Sequence, residues 1–102
     1  MSTVRELHHQ AMELASLAFL ARHAGDLHQA QALARQALPY EVAAAEQLVD
    51  RLDEEPTRSL LYRSAASLAM QCGEFAEAER LIETGLAGHP PLEIASELHE
   101  LL

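Results

Sequence analysis

The chain of 102 residues has one cysteine, no tryptophan, and only two phenylalanines and two tyrosines. The single cysteine, Cys72, excludes a disulfide within the chain, and the scarcity of aromatic residues excludes a core built on large rings. Valine and isoleucine are also few, and no stretch alternates polar and apolar residues over the length of a strand. Alanine and leucine, both good helix formers, supply much of the 49% hydrophobic content. We therefore predict a single all-α domain whose core is made of small side chains.

Lysine is absent too, so the seven basic residues are all arginines, against sixteen Asp and Glu and a net charge of −9. These arginines are scattered along the chain, whereas binding to nucleic acid or to an anionic membrane surface needs clustered basic residues. We therefore expect neither nucleic acid nor membrane as a partner. The acidity is explained either by solubility or by electrostatic attraction of a basic partner.

The first residues of the chain lack the apolar core of a signal peptide. The most apolar run, residues 14–21, is too short to span a bilayer. Together with the single cysteine, these features predict a cytoplasmic location.

Apolar residues recur at helical spacing along nearly the whole chain, and the pattern predicts about five helices. The first begins at a capping box of Thr3 and Glu6 and ends at Gly25, and the second begins at Asp26. Three more are expected over about 57–72, 74–88 and 91–102. Pro39 leaves two alternatives for the second helix: one long kinked helix over about 26–53, or two helices that meet at Pro39. The absence of any other turn residue between 27 and 49 favours the single helix.

Two turns with the same Gly-acidic-hydrophobic pattern, Gly25-Asp26-Leu27 and Gly73-Glu74-Phe75, mark an internal repeat. When the two glycines are aligned, small or apolar residues match on both sides of the turn: Ala18 with Ala66, Ala21 with Ala69, Ala30 with Ala78, Leu33 with Leu81, and Leu38 with Leu86. Matching helix pairs of this kind are typical of α-solenoid units. We expect Phe75 and Ala78 to lock the helices of the second pair together.

These turns and the alanines around them resemble the tetratricopeptide repeat (TPR), an antiparallel helix pair of 34 residues. The resemblance is best over 57–91, where Tyr62, the Gly73 turn and Pro90 occupy the positions of the pattern, and it extends over 11–38 in the first copy. The two glycines are 48 residues apart (73 − 25) instead of 34, which an elongated second helix explains. The resemblance implies antiparallel helical hairpins of TPR-like α-solenoid type. The first unit would cover about 3–54, the second about 57–90, and a C-terminal capping helix 91–102.

In TPR arrays, the first helices of successive units line a concave face that holds a segment of a partner protein. By position, this face falls on the first helix and on the helix that starts near residue 57. The latter is counted as the fourth helix when Pro39 divides the second helix into two. The resemblance gives its candidate partner-binding residues as Phe19, Arg22, His23, Leu60, Arg63, Ser67 and Met70. Arg22 and Arg63 would suit a carboxylate, although the best-known peptide clamp of the family uses lysines and asparagines, and this chain has neither. Alternatively, Phe19 belongs to the core and the arginines form surface ion pairs.

Patterns for catalysis or metal binding are missing. The adjacent His8 and His9 point about 100° apart on a helix, and no metal-ligand spacing occurs. Cys72 precedes a turn glycine, where a small packed side chain is expected instead of a nucleophile. We therefore expect no enzyme, no metal and no cofactor. Two functions remain: an adaptor or scaffold that binds a peptide or protein segment on the candidate face, or a structural protein that forms a homodimer.

Overall fold

The computed structural model describes residues 2–102, and within that range it contains five α-helices, one short 3₁₀ helix and no strand. The helices are α1 (Val4–His23), α2 (Leu27–Glu46), α3 (Thr57–Gln71), α4 (Phe75–Leu86) and α5 (Leu92–Glu100), with the 3₁₀ helix at Leu52–Glu54 between α2 and α3. The predicted all-α class is confirmed.

The ends of the first helices follow the local signals of the sequence. The Oγ1 atom of Thr3 accepts from the Glu6 amide at 3.1 Å, and the Thr3 amide donates to Glu6 Oε1 at 3.3 Å, so the capping box is formed. Asp26 caps α2 through its Oδ1 atom. Both turn glycines have a positive φ, 84° at Gly25 and 79° at Gly73, which a side chain would disfavour.

Each helix packs against the one before it in the chain, which gives a series of helical hairpins. The central helix is α3, because it contacts α2 on one side and both α4 and α5 on the other. Alanines make up half of the buried hydrophobic residues, and they include the repeat positions Ala18, Ala30, Ala66, Ala69 and Ala78. Such small side chains let helix backbones approach closely. One such close approach is at Gly85 of α4, where a methyl group would lie only 3.0 Å from the Cβ atom of Tyr62.

The second helix runs through Pro39 without a break, as the preferred alternative predicted, but its predicted end was wrong. It ends at Glu46, and residues 47–50 form a turn in place of the helix expected to continue to about 53. Two amides of this turn bond three residues back, Leu48 to Ala45 and Val49 to Glu46. The tighter turn keeps Leu48 buried and frees the Val49 carbonyl for a partner distant in sequence.

That partner is Arg58, a buried arginine that joins three parts of the chain. Its Nε atom donates to the Val49 carbonyl at 2.8 Å, and its Nη2 and Nη1 atoms donate to the carbonyls of Thr84 and Gly85 at 2.8 and 3.3 Å. The two carbonyls belong to the last turn of α4, where helix carbonyls lack partners within the helix. Arg58 therefore caps α4 and ties it to the turn after α2.

The carboxylate of Glu55 completes this cluster. It lies 3.7 Å from Arg58 and accepts hydrogen bonds from the amide and hydroxyl of Ser59 and from the amide of His89. Burial alone would raise the pKa of Glu55, but these hydrogen bonds and the charge of Arg58 together lower it below the ordinary value. Arg58 also lies 5.1 Å from the ring centroid of Tyr62, whose buried hydroxyl has no partner within residues 2–102.

One packing expectation was wrong. Ala78 is buried between α3 and α4 as predicted, but Phe75 is 62% exposed. Phe75 is the first residue of α4, so its side chain lies at the end of the hairpin, beside Met70 and Leu102. Ala78, one turn further along, makes the closer helix–helix contact.

Candidate functional site

A groove runs between α1 and α3, and α5 forms a wall at one end of it. Its first part, a cleft of about 550 Å³ that we call the basic cleft, is lined chiefly by Arg5, His8, Met12, Leu60 and Arg63. Its second part, of about 620 Å³, is lined by α1, α3 and α5 and contains Glu97 and Glu100, so we call it the acidic cleft. Met12, Arg63 and Ser64 line both clefts, which makes the groove continuous.

Helical spacing places these side chains on facing stripes. On α1, Arg5, His8 and Met12 are separated by three and four residues, so they lie on one face of the helix. On α3, Leu60, Ser64 and Ser67 have the same relation, and they are only partly buried on a helix whose other faces are covered by α2 and α4. The groove is therefore built from the side of α1 that α2 leaves open and from the exposed stripe of α3.

Three of the seven candidate residues line the groove. Leu60 lies in the basic cleft, Ser67 lies in the acidic cleft, and Arg63 lies between the two. The Nη1 atom of Arg63 donates to Glu97 Oε2 at 2.7 Å, and its side chain remains one-third exposed. Arg63 thus connects α3 to α5 while still facing the groove.

The other arginine, Arg22, lies at the end of α1. Its Nη2 atom donates to Gln71 Oε1 at 2.9 Å, and Gln71 in turn donates to the hydroxyl of Ser67 at 3.2 Å. This chain of hydrogen bonds links α1 to α3 at the end of the acidic cleft. The two arginines proposed to share a carboxylate are therefore each engaged with a different partner, Gln71 and Glu97.

The remaining candidates lie outside the two clefts. Phe19 and His23 stack on each other on the exposed surface of α1, with ring centroids 4.1 Å apart, and Phe19 is 55% exposed. The alternative that placed Phe19 in the core was wrong. Met70 lines a smaller cleft between α3, α4 and the C-terminal residues, together with Phe75 and Leu102.

Sequence reasoning missed the most polar wall of the basic cleft. His8 was expected to hold no metal and no partner was predicted for it, yet its Nδ1 atom bonds both oxygens of Glu41, at 2.8 and 3.0 Å. The Glu41 side chain is fully buried, whereas that of His8 is 44% exposed. The sequence did contain a signal for this contact. Glu41 interrupts the apolar stripe of α2, and a carboxylate buried there needs a hydrogen-bond partner. Arg5, three residues before His8, was not singled out.

Within residues 2–102, no three His, Cys, Asp or Glu side chains converge in a way that could hold a metal ion. Nor does any helix in this part of the chain have the length and apolar character needed to cross a membrane. Cys72 is buried, and its thiol is directed at the carbonyl of Ala69 at 3.5 Å.

Comparison with known proteins gives no relative. No family model matches the chain, and no significant match is found among curated proteins or solved structures. What the groove does must therefore be argued from its own residues.

Proposed function

We propose that this chain is a small TPR-like interaction module that acts as an adaptor or scaffold in the cytoplasm. It would bind a peptide or protein segment of a partner in the groove between α1 and α3. The internal repeat, the consecutive packing of helices and the reducing compartment implied by a lone cysteine support this proposal. The TPR likeness itself rests on the residue pattern, since no family model matches.

The observation that carries the proposal is the open groove itself. The two clefts are continuous and are lined by both apolar and charged side chains, as are surfaces that recognise peptides. The 15 residues of α3 extend over about 22 Å. An extended peptide would cover this distance with about seven residues.

The proposal assigns no catalysis and no cofactor to the groove. Ser67 is bonded to Gln71 and the thiol of Cys72 is buried against a carbonyl, so neither is paired with a base. Nucleic acid and membrane surfaces are not proposed as partners, because most of the arginines contact acidic side chains or carbonyl groups of the chain itself.

Affinity capture from the source cell tests the adaptor, with wild-type protein and the Arg63→Glu variant as baits. We expect a direct partner to bind the purified wild type and to be lost with Arg63→Glu, because this side chain lies between the two clefts. The unfolding temperature should hardly change, since partly exposed ion pairs contribute less than about 1 kcal/mol. Arg51→Glu, the same charge change outside the groove, is the matched control. Capture that is equal with both variants would exclude the groove as the binding site.

A second candidate function, a homodimer, is favoured by a separate surface. Leu17 and Leu20 at the end of α1 and Leu27 at the start of α2 are all more than half exposed. Sedimentation at low micromolar concentration tests it, with Leu20→Glu as the disrupting variant. A stable dimer that covers Phe19 and Arg63 would refute the free-groove adaptor, and a monomer at all concentrations would refute the homodimer.

A further inference from the structure

We propose that the basic cleft is a subsite for an acidic side chain of the bound segment. Arg5 would bind the carboxylate of that side chain, and apolar residues next to it in the segment would contact the floor of the cleft. The inference rests on the adaptor function proposed above and names the chemistry of the segment. Its occupant is a stretch of a partner protein in which Asp or Glu stands beside large apolar residues.

The first argument comes from the arginines that are already engaged. Six of the seven have acceptors within the chain: Arg22 on Gln71, Arg35 on the Cys72 carbonyl, Arg51 on Asp53, Arg58 on three carbonyls, Arg63 on Glu97, and Arg80 on Glu77. Arg5 lines the basic cleft, is exposed, and has no acceptor within residues 2–102. It is the arginine left to bind an external anion.

Its position on α1 strengthens this argument. Arg5 is the second residue of the helix, where the positive end of the helix dipole disfavours a cation. An arginine at this place neither caps the helix nor forms an ion pair within the described residues. Its charge is therefore unfavourable for the helix but suited to a carboxylate held in the cleft beside it.

The buried Glu41 does not line the cleft, because His8 lies between them and is its hydrogen-bond partner. Both oxygens of Glu41 are bonded to Nδ1 of His8, and the carboxylate has no exposed surface. The cleft wall at this point is the imidazole ring of His8, whose Nδ1 atom is occupied by Glu41. A segment in the basic cleft meets the Arg5 and Arg63 guanidinium groups and this ring.

The acidic cleft already shows this kind of contact within the chain. There α5, an amphipathic helix, places Glu97 on Arg63 at 2.7 Å while Leu98 is buried in the core. The basic cleft offers the same chemistry, because Arg5 supplies a cation and Val4, Met12, Leu60 and Leu61 supply apolar lining. The net charge of −9 repels acidic partners at long range, so the attraction must act at contact, within the screening distance of about 8 Å.

Selection from a library of random peptides tests the inference. We would display peptides of about seven residues, the number that spans α3 in extended form. Both peptide ends are joined to the carrier, so that a free terminal carboxylate cannot substitute for a side chain. The baits are wild type, Arg5→Gln, Arg5→Glu, Arg63→Glu and the control Arg51→Glu. Arg5 makes no contact that would be lost, so its variants should fold, and a circular dichroism melt checks this.

We expect wild type and Arg51→Glu to enrich peptides with Asp or Glu next to Leu, Ile, Met or Phe, and Arg5→Glu to lose them. For a synthetic, end-blocked version of such a peptide, replacing Glu by Gln should weaken binding about tenfold, the effect of one charge-assisted contact. Arg5→Gln should abolish the difference between the two peptides.

Two other results would overturn the inference in different ways. In the first, peptides bind in a way that depends on Arg63 but show no preference for acidic residues, or they bind Arg5→Gln as well as wild type. This result would refute the carboxylate subsite and leave the adaptor function intact. The absence of any peptide sensitive to a groove variant would refute both.

Discussion

Replacing Arg58 by alanine should destabilise this protein more than any other change of an arginine. The guanidinium is buried, caps the last turn of α4, and holds the turn after α2 through the Val49 carbonyl. Alanine would leave these carbonyls without their donor and Glu55 without its counter-ion. Only Ser59 and His89 would still donate to that carboxylate.

The magnitude follows from what is left unpaired. Removing one partner of a buried, hydrogen-bonded ion pair costs about 3–5 kcal/mol. A domain of this size has a total free energy of unfolding of about 5–15 kcal/mol. Arg58→Ala should therefore remove about a fifth or more of the stability and lower the unfolding temperature by about 12 °C or more.

Urea unfolding followed by circular dichroism would measure this loss. Arg58→Lys should be intermediate, because one ammonium group cannot reach carbonyls on two separate elements as the planar guanidinium does. Arg51→Ala is the matched control, since that arginine is exposed and contacts only exposed acidic residues. A loss below about 1 kcal/mol for Arg58→Ala would show that solvent replaces these hydrogen bonds and would refute the reasoning.

Three further predictions concern other buried polar groups. Tyr62→Phe should leave the free energy of unfolding unchanged or raise it by about 1 kcal/mol, because it removes a buried hydroxyl without a partner. Chemical denaturation measures this difference, and a clear loss of stability would show that the hydroxyl forms a hydrogen bond. His8→Ala should lower the free energy of unfolding by about 3 kcal/mol, since Glu41 would stay buried and unpaired. Adding Glu41→Leu to the same chain should recover part of that loss. Unaltered stability of the His8→Ala variant would contradict the pairing. Because the pKa of Glu55 is lowered, its stabilising contribution is present above the ordinary glutamate value of about 4.3 and disappears as the pH falls through the lowered value. Unfolding midpoints between about pH 2 and 6 should therefore fall more steeply for wild type than for Glu55→Gln, and parallel curves would refute this.

The helices and their turns could be predicted from the sequence because their causes are local. Thr3 and Glu6 satisfy each other's amides three residues apart, and Gly73 takes a backbone conformation that other residues avoid. The spacing of alanines likewise fixed which faces are buried, including Ala18 and Ala66. Such signals act over a few residues, so a single sequence is enough to predict them.

The groove was predicted only in part, because its walls come from segments far apart in the chain. Leu60, Arg63 and Ser67 line the groove from α3, but the role of α5 depends on how the C-terminal helix folds back to bring Glu97 to Arg63. Phe19 and Met70 lie outside both clefts, Phe19 against His23 and Met70 in the cleft beside Phe75.

Composition and periodicity alone thus determined an all-α chain of hairpins with an alanine-rich core. Only the tertiary structure decided which charges are buried and which are free. Arg58 and Arg5 cannot be distinguished as letters in the sequence, yet one caps α4 from the interior and the other faces an open cleft. The physical reason is that a charge is stabilised by the atoms packed around it, and for Arg58 those atoms belong to residues as much as 27 positions away.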